Sequence, residues 1–485
     1  MRYFWLVFVI VVPVLSSCST IETRSFPKQT FPKQWSQQVA QMQSQKQATP
    51  WWQELHDKDL NQLINEAIKA NPDVLSAESV IRESRAYRVQ AKAGLLPKVT
   101  IGGSAKSTYL KSTDATTDTY SAVLDASWEP DIFGTQQHAL AAAEAKVKAA
   151  EASYADVLVS LSAEVATNYV ALRGYQAQLN VTQASLKSWL ETLQLTQWQH
   201  QAGMVTELDV EQAKRSYEQT AASVPTLKQN ILETQNQLAI LLGRTPENLP
   251  PSLTKVADLP SSPKTVFLPI PTEVLRQRPD VRAAEQNVLV AMSKTDSAKA
   301  NRWPSFTLGG SLGLTSATLG KLLNTDALVT TLSAAVSHTL FDGGALDAQV
   351  DIQTEQEKQA MYSYKKTVLS ALQETENALA GLYNSRESYA ALNRALDASK
   401  NEEKLALMQY QAGQTSFTDV LNAQRTQLTL KQQSIQAKAT ELAKLITLSK
   451  AISGNWAIQQ TTQNKTVNDA DTQAPQPTTS TGTSS

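Results

Sequence analysis

QQHALAAAEAKVKAAEASYADVLVSLSAEVATNYVALRGYQAQLNVTQASLKSWLETLQLTQWQHQAGM, from Gln136 to Met204, contains no proline. Apolar residues fall at Val147, Tyr154, Leu158, Leu161, Val165, Tyr169, Leu172, Leu179, Leu186, Leu190 and Leu193. Steps of three, four and seven are coiled-coil spacing. At about 1.5 Å per residue, a helix of roughly 65 residues spans about 100 Å, more than a globular domain of this size needs. The chain reverses at His200-Gln201-Ala202-Gly203-Met204, and the return arm keeps the pattern at Val210, Ala213, Tyr217, Val224, Leu227, Ile231, Leu238 and Leu241. This hairpin, 136–242, is built a second time over 345–452.

The arms are unequal, because the return helix stops at Gly243 after about 56 Å. A helix expected from Asp73 to Gly94, about 33 Å long, makes up most of the difference if stacked end to end on it. Pro225 lies inside the first return helix and predicts a local bend, since it removes a hydrogen bond. The second return helix has no proline at the matching position, around Ile435.

Between helices the period falls from 3.6 to 2, over about 98–112, 118–133, 305–315 and 328–342. Around Ser121 to Glu129, Tyr120, Ala122, Leu124, Ala126 and Trp128 alternate with the mostly polar Ser121, Val123, Asp125, Ser127 and Glu129. Phe306, Leu308, Leu312 and Leu314 alternate with Ser305, Thr307, Ser311 and Thr315. Strands of about 10 residues, apolar outside and polar inside, suit a transmembrane barrel wall, with Tyr109, Tyr120 and Trp128 as membrane-interface aromatics. A soluble sheet with one face on a helix fits the alternation equally well.

An internal repeat shifts that balance. Asn71-Pro72-Asp73-Val74 returns as Arg278-Pro279-Asp280-Val281, and the run from Pro97 returns from Pro304, both 207 residues on. Gln201-Ala202-Gly203 returns as Gln411-Ala412-Gly413, 210 residues on. Each half reads helix, two strands, long helix, turn, return helix. Four strands cannot close a membrane barrel, and an open edge in hydrocarbon leaves backbone groups unsatisfied. Three copies give twelve strands and a barrel of twelve helical staves; two copies give eight strands, a size normally filled by its own side chains. The expected fold is mainly α with a β-barrel part, the protomer tandem-duplicated.

Composition agrees with long, wet helices: 41% hydrophobic residues, only 6% aromatic, and a net charge of −1. No basic cluster offers a nucleic-acid footprint. Residues 1–17 read as a signal peptide too short to span a membrane. Cys18, the single cysteine, follows Leu15-Ser16-Ser17 as in a lipobox, so it is the expected lipidation site. Ser17 departs from the commoner Gly or Ala; Ser19, not an Asp, follows the cysteine, and the resemblance to bacterial lipoproteins implies export to the outer membrane. Residues 18–50 read as a tether, 51–250 and 272–457 as the two repeats, 251–271 as a proline-bearing linker, and 458–485 as a disordered tail.

Catalytic motifs are absent. His56, His138, His200 and His338 are scattered without metal-ligand spacing, and no nucleophile elbow, phosphate loop or dinucleotide fingerprint occurs. Neither an enzyme, a metal site nor a cofactor other than lipid on Cys18 is expected.

Trp51-Trp52 with Leu55 and Asp57, Arg278-Pro279-Asp280-Val281 before Ala284-Glu285, Phe341-Asp342-Gly343-Gly344, and Tyr410-Gln411-Ala412-Gly413 followed by Asp419-Val420-Leu421-Asn422-Ala423-Gln424-Arg425 carry a resemblance. From Trp51 to Trp456 the chain resembles the outer membrane efflux protein family, the TolC-like and OprM-like outer membrane factors; the lipobox favours the lipid-anchored branch. The resemblance implies a homotrimeric duct with a periplasmic adaptor and an inner-membrane pump as partners, closed at the hairpin turns. Carried over by position, the gate candidates are Tyr410, Asp419, Asn422 and Arg425, with Asp209 and Arg215 in the first repeat. Asn422 stands where some relatives are acidic. The tips, His200, Gly203, Met204, Gly413 and Gln414, are the expected adaptor contacts. Asp209 and Asp419 also fit a plainer role as N-terminal helix residues favoured by the macrodipole. A type I secretion duct of the same fold, or a non-conducting helical spacer lipoprotein, are the rival readings.

Overall fold

A computed structural model describes residue 35 and residues 50–263 and 271–452. The signal peptide, Cys18, most of the tether, part of the linker and the C-terminal tail lie outside the described residues. In chain order the elements are α1 (Trp51–Leu55, a 3-10 turn), α2 (Lys58–Ala70), α3 (Pro72–Ala93), β1 (Lys98–Leu110), β2 (Ala115–Trp128), α4 (Thr135–Gln201), α5 (Glu207–Ala221) and α6 (Ser223–Leu241). There follow α7 (Pro251–Thr254), α8 (Pro271–Gln277), α9 (Pro279–Ala300), β3 (Ser305–Ser316), β4 (Leu328–Ser337), α10 (Ala345–Gln411) and α11 (Phe417–Ile452).

The duplication is carried through to the helix ends. α3 and α9 are both 22 residues long and 207 apart; α4 and α10 are both 67 residues long and 210 apart. Gly134 and Gly344, which open the long helices, both have positive φ, as do Gly203 and Gly413, which close them. The return helices differ. The first is divided at Ala222, whereas α11 runs unbroken for 36 residues. Pro225 explains the division, because its ring displaces the carbonyl four residues earlier, that of Ala221.

Two compact units make up the chain. The first comprises 84–147 and 286–362 and holds the sheet. Its strands lie in the order β1-β2-β3-β4, all antiparallel, leaving one side of β1 and one side of β4 unpaired. Leu124 sits opposite Ile101 on one side and Leu312 on the other, so the register aligns the alternating apolar residues on one face. That face is bare: Ile101 is 83% exposed and Leu332 91%. The strands end at Trp128 and Ser337, short of the expected 133 and 342. Pro130, which has no amide to donate, and the positive-φ pair Gly343-Gly344 take over there. The hairpin ends also differ: residues 111–114 join β1 to β2, but 317–327, with two 3-10 turns, join β3 to β4.

Of the expected interface aromatics, Tyr109 lies at the turn end of the sheet, its hydroxyl donating to Asp114 at 2.8 Å. Trp128 lies at the opposite end and donates to the Leu95 carbonyl at 3.1 Å. Tyr120 is inside the strand, opposite Ala105. The sequence reading missed a second aromatic group at the Trp128 end, where Phe133 stacks on Trp303 at 5.4 Å and lies 6.5 Å from Phe306.

The second unit, whose described parts fall within 35–83, 148–285 and 363–452, is helical. The expected stripe is buried through Leu172, but farther down Leu190 is exposed, and Trp189 and Thr196 are buried instead. Trp51, Trp52, Leu60, Leu63, Ile64, Tyr169, Leu172, Leu238, Leu242 and Leu253 share one core. Burying a side chain of this size contributes about 1.5–3 kcal/mol. Asp57 caps α2 by accepting from Leu60 N at 3.0 Å, and its other oxygen accepts from the Tyr169 hydroxyl at 2.9 Å. At the junction of α2, α3 and α6, Asn71 donates to the Leu241 carbonyl at 3.0 Å and accepts from the amides of Asp73 and Val74. Gly243 makes this junction possible: a Cβ there would stand 2.3 Å from the Ala70 carbonyl oxygen.

Arg173 is fully buried in this unit, on the helix face that the sequence reading assigned to apolar residues. It donates to the carbonyls of Lys255 at 2.6 Å and Ser252 at 2.9 Å and to Gln176 Oε1 at 2.8 Å. Its guanidinium also lies over the Tyr169 ring, 4.7 Å from the centroid. A charge survives burial here because carbonyl dipoles replace its water and the Asp59 carboxylate stands 3.6 Å away. The linker after α6 is thereby fastened to the long helix.

Candidate gate and docking tips

Both hairpin tips lie in the helical unit and are near copies. After α4, Gly203 N donates to His200 O and Met204 N to Gln199 O, each at 2.8 Å. After α10, Gly413 N donates to Tyr410 O at 3.0 Å and Gln414 N to Gln409 O at 2.9 Å. This is the helix-ending pattern that needs a left-handed residue, and Gly203 and Gly413 have φ of 71° and 70°. Met204 at the first tip is 72% exposed.

Asp209 and Asp419 are each placed three residues after the cap of their return helix. Asp209 Oδ2 accepts from the Thr206 amide at 3.0 Å and hydroxyl at 2.7 Å. Asp419 Oδ2 accepts from Thr415 Oγ1 at 2.6 Å, Ser416 Oγ at 2.7 Å and Ser416 N at 3.1 Å. Those bonds hold the Asp419 carboxyl below its ordinary range, the Thr415 hydroxyl contributing most. Both residues therefore act as helix-start clamps, the role the macrodipole argument anticipated. The hydroxyl partners Thr206, Thr415 and Ser416 went unnoticed in the sequence, although Thr and Ser three residues before an acidic residue are capping signals.

The tips differ in how each turn is pinned. His200 Nε2 lies 3.1 Å from Glu207, and its Nδ1 is 3.1 Å from the Val205 carbonyl. At the matching positions of the second tip, Tyr410 packs on Phe417, ring centroids 5.4 Å apart. Burial, and then the charge of Asp209, push the Tyr410 hydroxyl up, which places it within the field of the other hairpin. The two hairpins meet directly where Thr418 Oγ1 donates to Gln212 Oε1 at 2.9 Å. Farther along, Gln432 donates to Thr182 Oγ1 and Gln178 to Gln436, both at 3.0 Å.

Asn422 and Arg425 lie on one face of α11 and are exposed, as is Arg215 on α5. Among the described residues, neither arginine stands within ion-pairing reach of a carboxylate. Tyr410 is thus packed on Phe417 and Asp209 bound to Thr206, while Asp419, Asn422 and Arg425 form an exposed stripe at the start of α11. Among the described residues no three His, Cys, Asp or Glu side chains gather as a metal site. None of the described helices is long and apolar enough to cross a membrane.

A family model described as "Outer membrane efflux protein" matches residues 63–244 and 270–454, one match to each repeat. The chain is 28% identical over 436 residues to nodulation protein T of Rhizobium leguminosarum bv. trifolii, covering 89% of this chain and 93% of that protein. It is 27% identical over 434 residues to the pyoverdine export outer membrane protein OpmQ of Pseudomonas putida, covering 87% and 92%. Among solved structures, the outer-membrane channel OprN superposes with a TM-score of 0.83 at 30% identity, covering 89% of this chain and 99% of that one. CusC superposes with a TM-score of 0.78 at 25% identity, covering 87% and 98%.

Proposed function

The chain belongs to the outer membrane efflux protein family, and from that premise we propose that it is the exit duct of a tripartite, RND-type export system. Three copies share one twelve-stranded barrel in the outer membrane and a barrel of twelve helical staves in the periplasm. Lipid on Cys18 anchors each copy. A periplasmic adaptor docks at the tips around His200, Gly203, Met204, Gly413 and Gln414, and an inner-membrane pump supplies the energy. The single observation that carries the reading is a four-stranded sheet with two unpaired edges and a bare apolar face. In hydrocarbon such a sheet is stable only when closed by further strands.

The tips form the gate in this reading. Threefold symmetry brings three Asp419 side chains, and the Asn422 and Arg425 stripes beside them, around one axis. Arg425 and Arg215 then find carboxylate partners across copies that they lack within one chain, and Asn422 adds amide hydrogen bonds in place of an ion pair. Relatives are named for pyoverdine export and for toluene efflux, which supports assigning substrate choice to the pump. The test is step conductance in planar bilayers: nearly closed for the wild type and opened by Asp419→Ala with Arg425→Ala. A protein that never conducts in any variant supports the spacer reading instead.

A further inference from the structure

The end of the sheet from which the helices leave holds side chains that a passive duct does not need. Where β2 leads into α4, α9 into β3 and β4 into α10, residues of the strand-bearing unit line a cavity of about 380 Å³. That size falls among small-ligand pockets, about 300–1,000 Å³. We propose that the cavity seats the headgroup of a phospholipid of the ethanolamine class, one bearing a primary ammonium, from the periplasm-facing leaflet of the outer membrane. The inference rests on the shared barrel and names a lipid for its periplasmic rim.

The apolar face of the sheet runs into this cavity. Trp128 lies opposite Leu308, and Phe306 opposite Val336, which puts all four on the face that meets hydrocarbon in the duct. Just beyond them Phe133 stacks on Trp303 at 5.4 Å, yet Trp303 stays 62% exposed. An indole left bare past the end of an apolar wall belongs at headgroup level, with oil on one side and water on the other.

The charges select the headgroup. Arg302 Nη2 bonds Asp347 Oδ1 at 2.7 Å while its side chain stays half exposed, which leaves guanidinium N–H groups for a phosphate. Glu129 and Asp131 line the same cavity. The two carboxylates outnumber the one guanidinium there, so an anionic headgroup is repelled. A zwitterionic one sets its phosphate at Arg302 and its ammonium at the carboxylates. A primary ammonium also donates hydrogen bonds to a carboxylate, which a fully methylated one cannot do.

The duplication supplies an internal control. The 207-residue offset puts Leu95 and Leu96 at the positions of Arg302 and Trp303, and the 210-residue offset puts Thr339 and Phe341 at those of Glu129 and Asp131. Those four positions carry no guanidinium, indole or carboxylate. Each chain therefore has one such site, and a trimer has three. A layer of loosely held lipid would make no such distinction.

The test is native mass spectrometry of the full-length protein, purified in detergent and titrated with dioleoyl phosphatidylethanolamine, phosphatidylcholine or phosphatidylglycerol. The wild-type trimer should fill three places with phosphatidylethanolamine, about tenfold more tightly than with either of the others. Arg302→Gln should abolish that preference, and Glu129→Gln should shift it toward phosphatidylglycerol. Leu96→Gln, at a matched position, should leave it intact. The mass of each variant reports whether it has assembled, and if Arg302→Gln has not, Glu129→Gln decides by itself. Equal binding of the three lipids, six places instead of three, or an unchanged preference in an assembled Glu129→Gln trimer overturns the headgroup site and leaves the shared barrel standing. A wild-type chain that weighs as a monomer removes the shared barrel, and the site with it.

Discussion

The side-chain amide of Asn71 donates to the carbonyl of Leu241, 170 residues away, while its oxygen caps the helix that begins at Pro72. One residue thus joins the end of α6 to the start of α3 and satisfies orphan backbone groups at both. Asn71→Ala should cost about 2 kcal/mol, about 1 for the cap and about 1 for the stranded carbonyl. Thermal unfolding in detergent checks this, and Asn71→Asp, which can cap but cannot donate to Leu241, should fall between.

Arg173 offers a harsher substitution. Arg173→Met keeps the volume but strands the carbonyls of Ser252 and Lys255, and the expected loss is about 3 kcal/mol. Limited proteolysis should then cut within 250–263 sooner than in the wild type. An unchanged cutting rate would mean that Arg173 does not hold the linker.

Burial raises the Asp156 carboxyl above its usual range, and Asp280 adds to the rise, against the pull of Lys450 and Arg278. A raised carboxyl favours its protonated form in the folded state, so its ionisation costs stability at neutral pH, and that cost is relieved as pH falls through the folded-state value. Asp156→Asn should therefore raise the melting midpoint at about pH 7.5, with the advantage shrinking toward about pH 4. A constant advantage at every pH would show that the gain comes from packing.

Asp419 has the opposite sign. Its lowered carboxyl adds stability that is complete above the ordinary carboxylate range and is lost as pH falls through the folded-state value. Hydrogen exchange at the amides of 416–420 should quicken several-fold in Asp419→Ala at neutral pH, and the wild type should approach the variant in acid. Faster exchange without altered conductance would separate the clamp at the start of the helix from the gate.

Much of the architecture was legible because it rests on period and repetition. The long arms follow from proline-free stripes such as Tyr154 to Leu172, and the turns from Gly203 and Gly413, whose conformations other residues resist. The strands show in the switch to period 2. Strand ends were less legible, since alternation runs on past Trp128 until Pro130 removes a donor. Arg173 could not be foreseen: the Ser252 and Lys255 carbonyls it binds lie about 80 residues away, and a charge on an apolar face carries no sign of them. The tips were half legible. Asp209 and Asp419 stand out by position, but their nearest partners are hydroxyls of the preceding turn, and a lone aspartate does not reveal which group it will engage.

The unequal strand hairpins bear on what the cell shows its surroundings. With three copies closed in a ring, the outward rim alternates three tight turns, 111–114, with three longer crests, 317–327, that carry the exposed Leu319 and Leu323. In the proposed duct, a molecule approaching from outside the cell would meet the longer crests first. The crests are therefore the places where a variant could alter that first contact while the helices that line the route inside stay untouched.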